Sequence, residues 1–191
     1  MSKKDETRIR IMSTALKLFS EQGYTRATTK QIAEKSNVNE ITLFRHFGNK
    51  EALFQETLEY YVEEMHLDDE IERLISQDFE KSMSEIAADY LDYCMRNKSL
   101  YLIQMRLPDN MEKFVKLKMS RGFKKGIIPY FQHLESQGMI KGDLEKMAST
   151  FINSILGAYT IYLLSKDTFS SASIEELVQE HARQFVSYYR V

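Results

Sequence analysis

A helical period runs through this chain almost without interruption. Apolar residues recur at i, i+3, i+4 and i+7 along nearly every segment, strict alternation is absent, and two prolines and seven glycines are the only strong breakers among 191 residues. Such a sequence buries its apolar stripes helix on helix, so the expected fold class is all-α. The length suffices for a core that needs no staple. Cys94 is the one cysteine. It excludes an internal disulfide or a site of several thiolates, and reads as a buried structural thiol in keeping with a reducing compartment.

Nine helices are expected. The first covers about Asp5 to Gln22, with Ile11, Met12, Ala15, Leu18 and Phe19 inward, and stops at Gly23, a natural left-handed C′ residue; Tyr24 is placed for the apolar contact that often follows. Two short helices come next. Longer ones follow near Asn49 to Met65, Phe79 to Asn97, Leu100 to Leu107, Asn110 to Gln137, Leu144 to Ser165 and Ser173 to Tyr189. Pro129 lacks an amide donor and predicts a kink or break in the seventh. The first six residues carry both charge signs with no apolar run behind them, unlike a secretory signal. The longest apolar stretch, Ile152 to Leu164, contains Asn153, Ser154 and Thr160 and falls short of the roughly 20 residues that span a bilayer. A cytoplasmic protein with no membrane partner is expected.

The region from Thr28 to Phe47 carries the strongest signal. Thr28 and Gln31 have the spacing of a capping box, in which hydroxyl and side-chain amide each satisfy an otherwise unpaired backbone N–H. Ala33 is small enough for a second helix to cross closely. Asn37 takes a left-handed turn more cheaply than most non-glycine residues, and Val38 plugs the angle between the helices. On the second helix, a 100° step places Leu43 and Phe47 on one side with Phe44 at the border, while Ile41, Thr42, Arg45 and His46 point the other way. That second set is a face about two turns long, the size that enters a B-DNA major groove. Arg45 can pair with guanine, Ile41 can touch a thymine methyl, Thr42 can serve either role and His46 can donate to a phosphate.

Charge agrees. The net formal charge is −2, yet the first 50 residues hold ten Lys and Arg against five Asp and Glu, leaving a basic head on an acidic body. Lys50, after the cap Asn49, sits in the first turn of the next helix, where the dipole disfavours a cation unless a phosphate docks there. Thr28, Thr29, Lys30, Asn39 and Lys50 therefore join the face as candidate DNA contacts. A solvated lysine is the alternative for Lys50.

The run from Ala15 to Phe54 resembles the N-terminal domain of TetR-family regulators: Ala-Leu-Lys-Leu-Phe, Gly23-Tyr24, Thr28 with Ile32-Ala33, Val38, Thr42-Leu43-Phe44, His46-Phe47 and Lys50-Glu51-Ala52-Leu53-Phe54. The resemblance covers about a quarter of the chain. It implies a nine-helix TetR-like architecture, divided into a helix-turn-helix domain over residues 1–48 and a sensing and dimerisation domain over residues 49–191. Departures from the family's habit are Asn37 in place of glycine, Asn39 in place of a Ser or Thr cap, Ile41 in place of a small residue or proline, and Phe44 in place of a phosphate-contacting tyrosine. Glu40 meets DNA with the wrong charge unless it accepts from a cytosine amine.

The resemblance also implies a homodimer through the eighth and ninth helices, whose surplus apolar residues include Phe151, Ile155, Ile161, Tyr162, Leu177 and Tyr188, with Ser154 and Gly157 allowing close approach. A small-molecule effector pocket among the fourth to eighth helices is implied as well. Its candidate residues are Tyr61, Met65, Tyr90, Cys94, Tyr101, Met105 and Phe114, and Met111 and Met119 belong to the same set. Met adapts to varied shapes and Tyr offers an apolar body with a polar tip, so a mainly apolar effector is expected, although core packing is the commoner role of such residues and accounts for most of them. No cofactor or metal is expected: His46, His66, His133 and His181 are scattered, and no catalytic set or phosphate-cradling glycine loop occurs. The expectation is thus a dimeric repressor that binds a near-palindromic operator in double-stranded DNA and is released from it by a small, mainly apolar effector. The alternative is a helical interaction protein that binds a protein partner.

Overall fold

The computed structural model describes residues 2–61, 71–107, 118–165 and 170–191. Among these there are ten helices and no strand beyond one isolated bridge, Ile140 with Arg190. The helices are α1 Lys3–Gln22, α2 Thr29–Lys35, α3 Glu40–Phe47, α4 Lys50–Tyr61, α5 Ile71–Ile75, α6 Phe79–Arg96, α7 Lys98–Met105, α8 Lys118–Ser136, α9 Leu144–Ser165 and α10 Ile174–Tyr189. The tenth is the short α5, five residues that give a helical period too little length to register. Of the kink or break expected at Pro129, the break does not occur: α8 runs through that residue. It lies on an exposed face, as does Lys125 one turn earlier, so the carbonyl deprived of its donor can be hydrated.

The chain forms two compact units, Met1–Glu63 with Asn97–Leu117, and Glu64–Arg96 with Lys118–Val191. In the first, α1 packs against α2, α4 and α7, and α3 rests on α2 and α4. Its core is the stripe Ile11, Met12, Ala15, Leu18 and Phe19 on α1, met by Ile32, Ala33, Leu43, Phe47, Leu53 and Phe54. Gly23 ends α1 with a φ of +79°, a value that L side chains adopt rarely. Tyr24 then makes the expected apolar contact, closing an aromatic cluster with Phe19 and Phe54 at centroid distances of 5.7 and 4.9 Å.

The turn between α2 and α3 follows from local chemistry. Thr28 and Gln31 form the anticipated capping box, each side chain bonding the other's backbone N–H at 3.1 Å. Asn37 is the one non-glycine residue with positive φ among those described, at +54°, and the Val38 amide returns to the Ala33 carbonyl at 3.0 Å. Asn39 then caps α3, its Oδ1 accepting from the Thr42 amide at 2.7 Å.

In the second unit α10 packs on α6 and α9, and α8 packs on α5 and α9. Phe185 organises the centre, lying 5.5 Å from Phe131 and 5.1 Å from Phe151. A capping box of Ser173 and Glu176 starts α10. Cys94 is buried as expected, and burial pushes its thiol up to about 12. The 22-residue α9 is long and apolar enough to cross a bilayer by length and composition, with a third of its most apolar window buried inside the protein.

Asn37 is the position on which the head's geometry turns. Asn37→Val places a β-branched side chain at positive φ and is expected to cost about 1–2 kcal/mol in urea unfolding, whereas Asn37→Gly stays close to neutral. Equal stability of the two variants would contradict a left-handed turn.

Candidate nucleic-acid interface

The eight residues of α3 divide cleanly. Leu43 and Phe47 are buried against the head, while Ile41 is 79% exposed and Phe44, at the border, 42% exposed. Arg45 is exposed, and Thr42 and His46 are half-buried beside it. A short helix held by one apolar side thus presents Ile41, Thr42 and Arg45 outward.

Hydrogen bonds constrain the residues around this face. The Thr29 hydroxyl donates to Glu40 Oε1 at 2.6 Å, so its proton is already engaged within the protein. The Thr28 oxygen is occupied by the α2 cap, and Lys30 is exposed. Lys50 does not project freely: its ammonium lies 4.4 Å from the centre of the Tyr24 ring and donates to the Thr25 carbonyl at 3.4 Å. Burial there holds its pKa below the usual lysine value. Asn49 caps α4, accepting from the Ala52 amide at 2.8 Å.

Three arginines that sequence patterning did not single out hold the head together. Arg8 pairs with Glu56 on α4, donates to the His46 carbonyl at 3.1 Å and lies 4.8 Å above the Phe47 ring centre. It thereby ties the last turn of α3 to α1 and α4. Arg10 donates to the Ser36 carbonyl at 2.9 Å, clamping the end of α2. Arg106 caps the last turn of α1 through the Ser20 and Glu21 carbonyls. For Arg8 a signal existed, since it stands one helical turn ahead of Met12 on the buried stripe that continues through Ala15 and Phe19.

His46 has an unusual setting. Its Nδ1 is buried and finds no hydrogen-bond partner among the described residues. Burial, followed by the positive charges of Arg45, Lys4 and Arg8, holds the imidazole below its ordinary value. An imidazolium would have to bury an N–H with no acceptor while facing three cations.

Comparison with known proteins decides the family. Residues 11–57 match the model for bacterial regulatory proteins of the tetR family. Across nearly its whole length the chain is similar to the HTH-type transcriptional regulator YvkB of Bacillus subtilis (strain 168), itself uncharacterized: 27% identical over 183 residues, covering 94% of this chain and 95% of that one. The chain belongs to the TetR family. The HTH-type transcriptional repressor NicS of Pseudomonas putida is a second relative, 26% identical over 145 residues, covering 73% of this chain and 68% of that one. Among solved structures, NalD, the secondary repressor of the MexAB-OprM multidrug efflux pump in Pseudomonas aeruginosa, shares the fold with a TM-score of 0.67 and 21% identity, covering 98% of this chain and 96% of that one.

This TetR-family protein is therefore a DNA-binding helix-turn-helix transcriptional regulator, and the matched block runs from mid-α1 into α4. The effector candidates divide between the two compact units. Tyr61, Tyr101 and the exposed Met105 belong to the first compact unit, whereas Tyr90 and Cys94 lie in the second. Tyr90 is fully buried, stacked 4.0 Å from the Phe123 ring centre and donating to Ser120 at 3.2 Å, and Cys94 sits one turn away on α6. Met65, Met111, Phe114 and the side chain of Met119 lie outside the described residues. A cavity of about 420 Å³ lies elsewhere, along α9 and α10, lined by Ser154, Gly157, Ala158, Ile161, Leu177 and His181 among others, and by none of those candidates.

The lowered His46 pKa gives folding a pH dependence of definite sign. Folding disfavours the imidazole's proton, so this contribution is complete above the ordinary histidine value of 6.5 and stability falls as pH drops through and below it. Following the imidazole protons by NMR should give a His46 midpoint below 6.5. A midpoint at or above that value would contradict the described environment.

Proposed function

We propose that this TetR-family regulator is a repressor that reads a near-palindromic operator as a homodimer and is released by a small, mainly apolar effector. One observation carries the reading: α3 is fixed by buried Leu43 and Phe47 while Ile41, Thr42 and Arg45 face outward beside it. Two turns of helix with that exposure suit a major groove. Arg45 supplies the planar donor pair that guanine accepts, and Ile41 and Thr42 supply apolar and hydroxyl contacts. Lys30, the Thr28 cap, Asn39, Phe44, His46 and Lys50 border this surface, and the functional division places the head at residues 1–48 and the sensor at residues 49–191.

A two-turn helix makes few base contacts, each worth roughly 1–3 kcal/mol, so a single head discriminates too weakly for one genomic site. Pairing doubles the contacts. The α9 and α10 surface supports it: Ile161 and Leu164 are 39% and 73% exposed, the groove beside them is lined by small and apolar residues, and Gly157 has open space around its α-carbon. The repressor sense is supported by the names of NicS and NalD. An effector acts by binding more tightly to the body conformation whose head spacing does not fit the operator. The Tyr and Met residues that follow Lys50 make an apolar or aromatic effector the fitting class.

Replacing both Thr42 and Arg45 with alanine should lower affinity for an operator selected from random duplexes by at least about 100-fold, since two base contacts per head are lost. Undiminished binding in a mobility shift would sink the assignment of the face. Ile161→Glu should turn the dimer into a monomer in sedimentation equilibrium and weaken operator binding with it. A persistent dimer would place the interface elsewhere.

A further inference from the structure

We infer that Glu40 is a specificity-determining residue that selects cytosine at one position of each half-site, an inference that rests on α3 being the groove helix. Glu40 is the first residue of α3, the end from which a recognition helix reaches base edges. It is half-buried, and its neighbour Ile41 is 79% exposed, so the carboxylate stands at the margin of the reading surface. A mobile glutamate at such a place would swing away from the phosphates. This one is held: Thr29 Oγ1 donates to Oε1 at 2.6 Å from the first turn of α2. The N-terminal dipole of α3 favours the same negative charge.

Among the described residues no second side-chain donor reaches Glu40, so Oε2 keeps its lone pairs for a donor on DNA. A fixed acceptor-only group sorts the four bases by their major-groove edges. Guanine offers two acceptors, thymine an acceptor and a methyl group, and adenine an amine beside the N7 acceptor. Cytosine alone offers an amine with no acceptor of its own alongside. Thr29 is thus a positioning residue: it orients the carboxylate before DNA arrives, so that little side-chain freedom is lost on docking.

The test is selection of operators from random duplex pools at about 0.15 M salt with the full-length protein and three variants. The unsubstituted protein should enrich a near-palindrome with cytosine at one α3 position per half-site. Glu40→Ala should lose that preference, a change of about 5- to 150-fold in relative affinity at that base, while the rest of the site persists. Glu40→Gln keeps an oxygen for the Thr29 hydroxyl and gains an amine, so the preference should move to adenine, which a glutamine amide pairs through N6 and N7. Thr29→Val should weaken the cytosine preference without moving it. Identical base preferences in all four proteins would overturn the inference and leave the regulator reading intact. Loss of all binding by both Glu40 variants with native helix content would also overturn it, making Glu40 a brace between α2 and α3. If the unsubstituted protein enriches no palindrome, the operator reading itself fails.

Discussion

The geometry of the DNA-binding head depends on the angle at which α3 crosses α2, and that angle is set at Asn37. With a φ of +54° this residue turns the chain where a right-handed conformation would extend α2 past Ser36. The Val38 amide can then return to the Ala33 carbonyl, and the small Ala33 lets α3 approach. Leu43 and Phe47 are buried at that crossing. A glycine would reach the same φ at lower conformational cost in the folded state but with more freedom to lose. Asparagine is a compromise that tolerates left-handed backbone while limiting the unfolded ensemble.

Charge is distributed less simply than composition suggests. The first 50 residues carry an excess of five positive charges. Arg8 and Arg10 are engaged by the Glu56 carboxylate and by the carbonyls of His46 and Ser36, and Lys50 rests over Tyr24. These cations fasten α1, α2, α3 and α4 together, whereas Lys30 and Arg45 are exposed side chains without such a role in the head. A substitution at Arg8 removes its ties to Glu56, to the His46 carbonyl and to the Phe47 ring together.

What is legible in the sequence follows from the range of the interactions involved. The capping box at Thr28, the left-handed Asn37, the Asn39 cap and the two-sided α3 all rest on contacts within four residues or on a single helical period, so the order of neighbouring residues suffices to read them. The continuity of α8 through Pro129 is different, because exposure of the ring decides whether a helix tolerates proline, and exposure is a tertiary property. Likewise the Arg8 to Glu56 pair and the Thr29 to Glu40 bond join residues 48 and 11 positions apart. Spacing rules carry no information on such partners. The body's Tyr and Met residues are ambiguous for the same reason: helical spacing marks an inward side chain without saying whether protein or ligand will meet it.

Precision in the head and surplus apolar surface in the body answer one problem. An eight-residue helix reaches few bases, so each contact must form with little loss of freedom, and the caps, the arginine ties and the Thr29 brace on Glu40 all reduce the freedom that remains to be lost. Rigidity alone cannot create more contacts. Only a second head can, and in the proposed dimer the groove along α9 and α10, apolar and partly exposed in the single chain, is the surface whose burial would supply the free energy to hold two heads at one spacing. A dimer held there makes head spacing a property of the body, so any ligand that binds unequally to two body conformations changes operator affinity without touching α3.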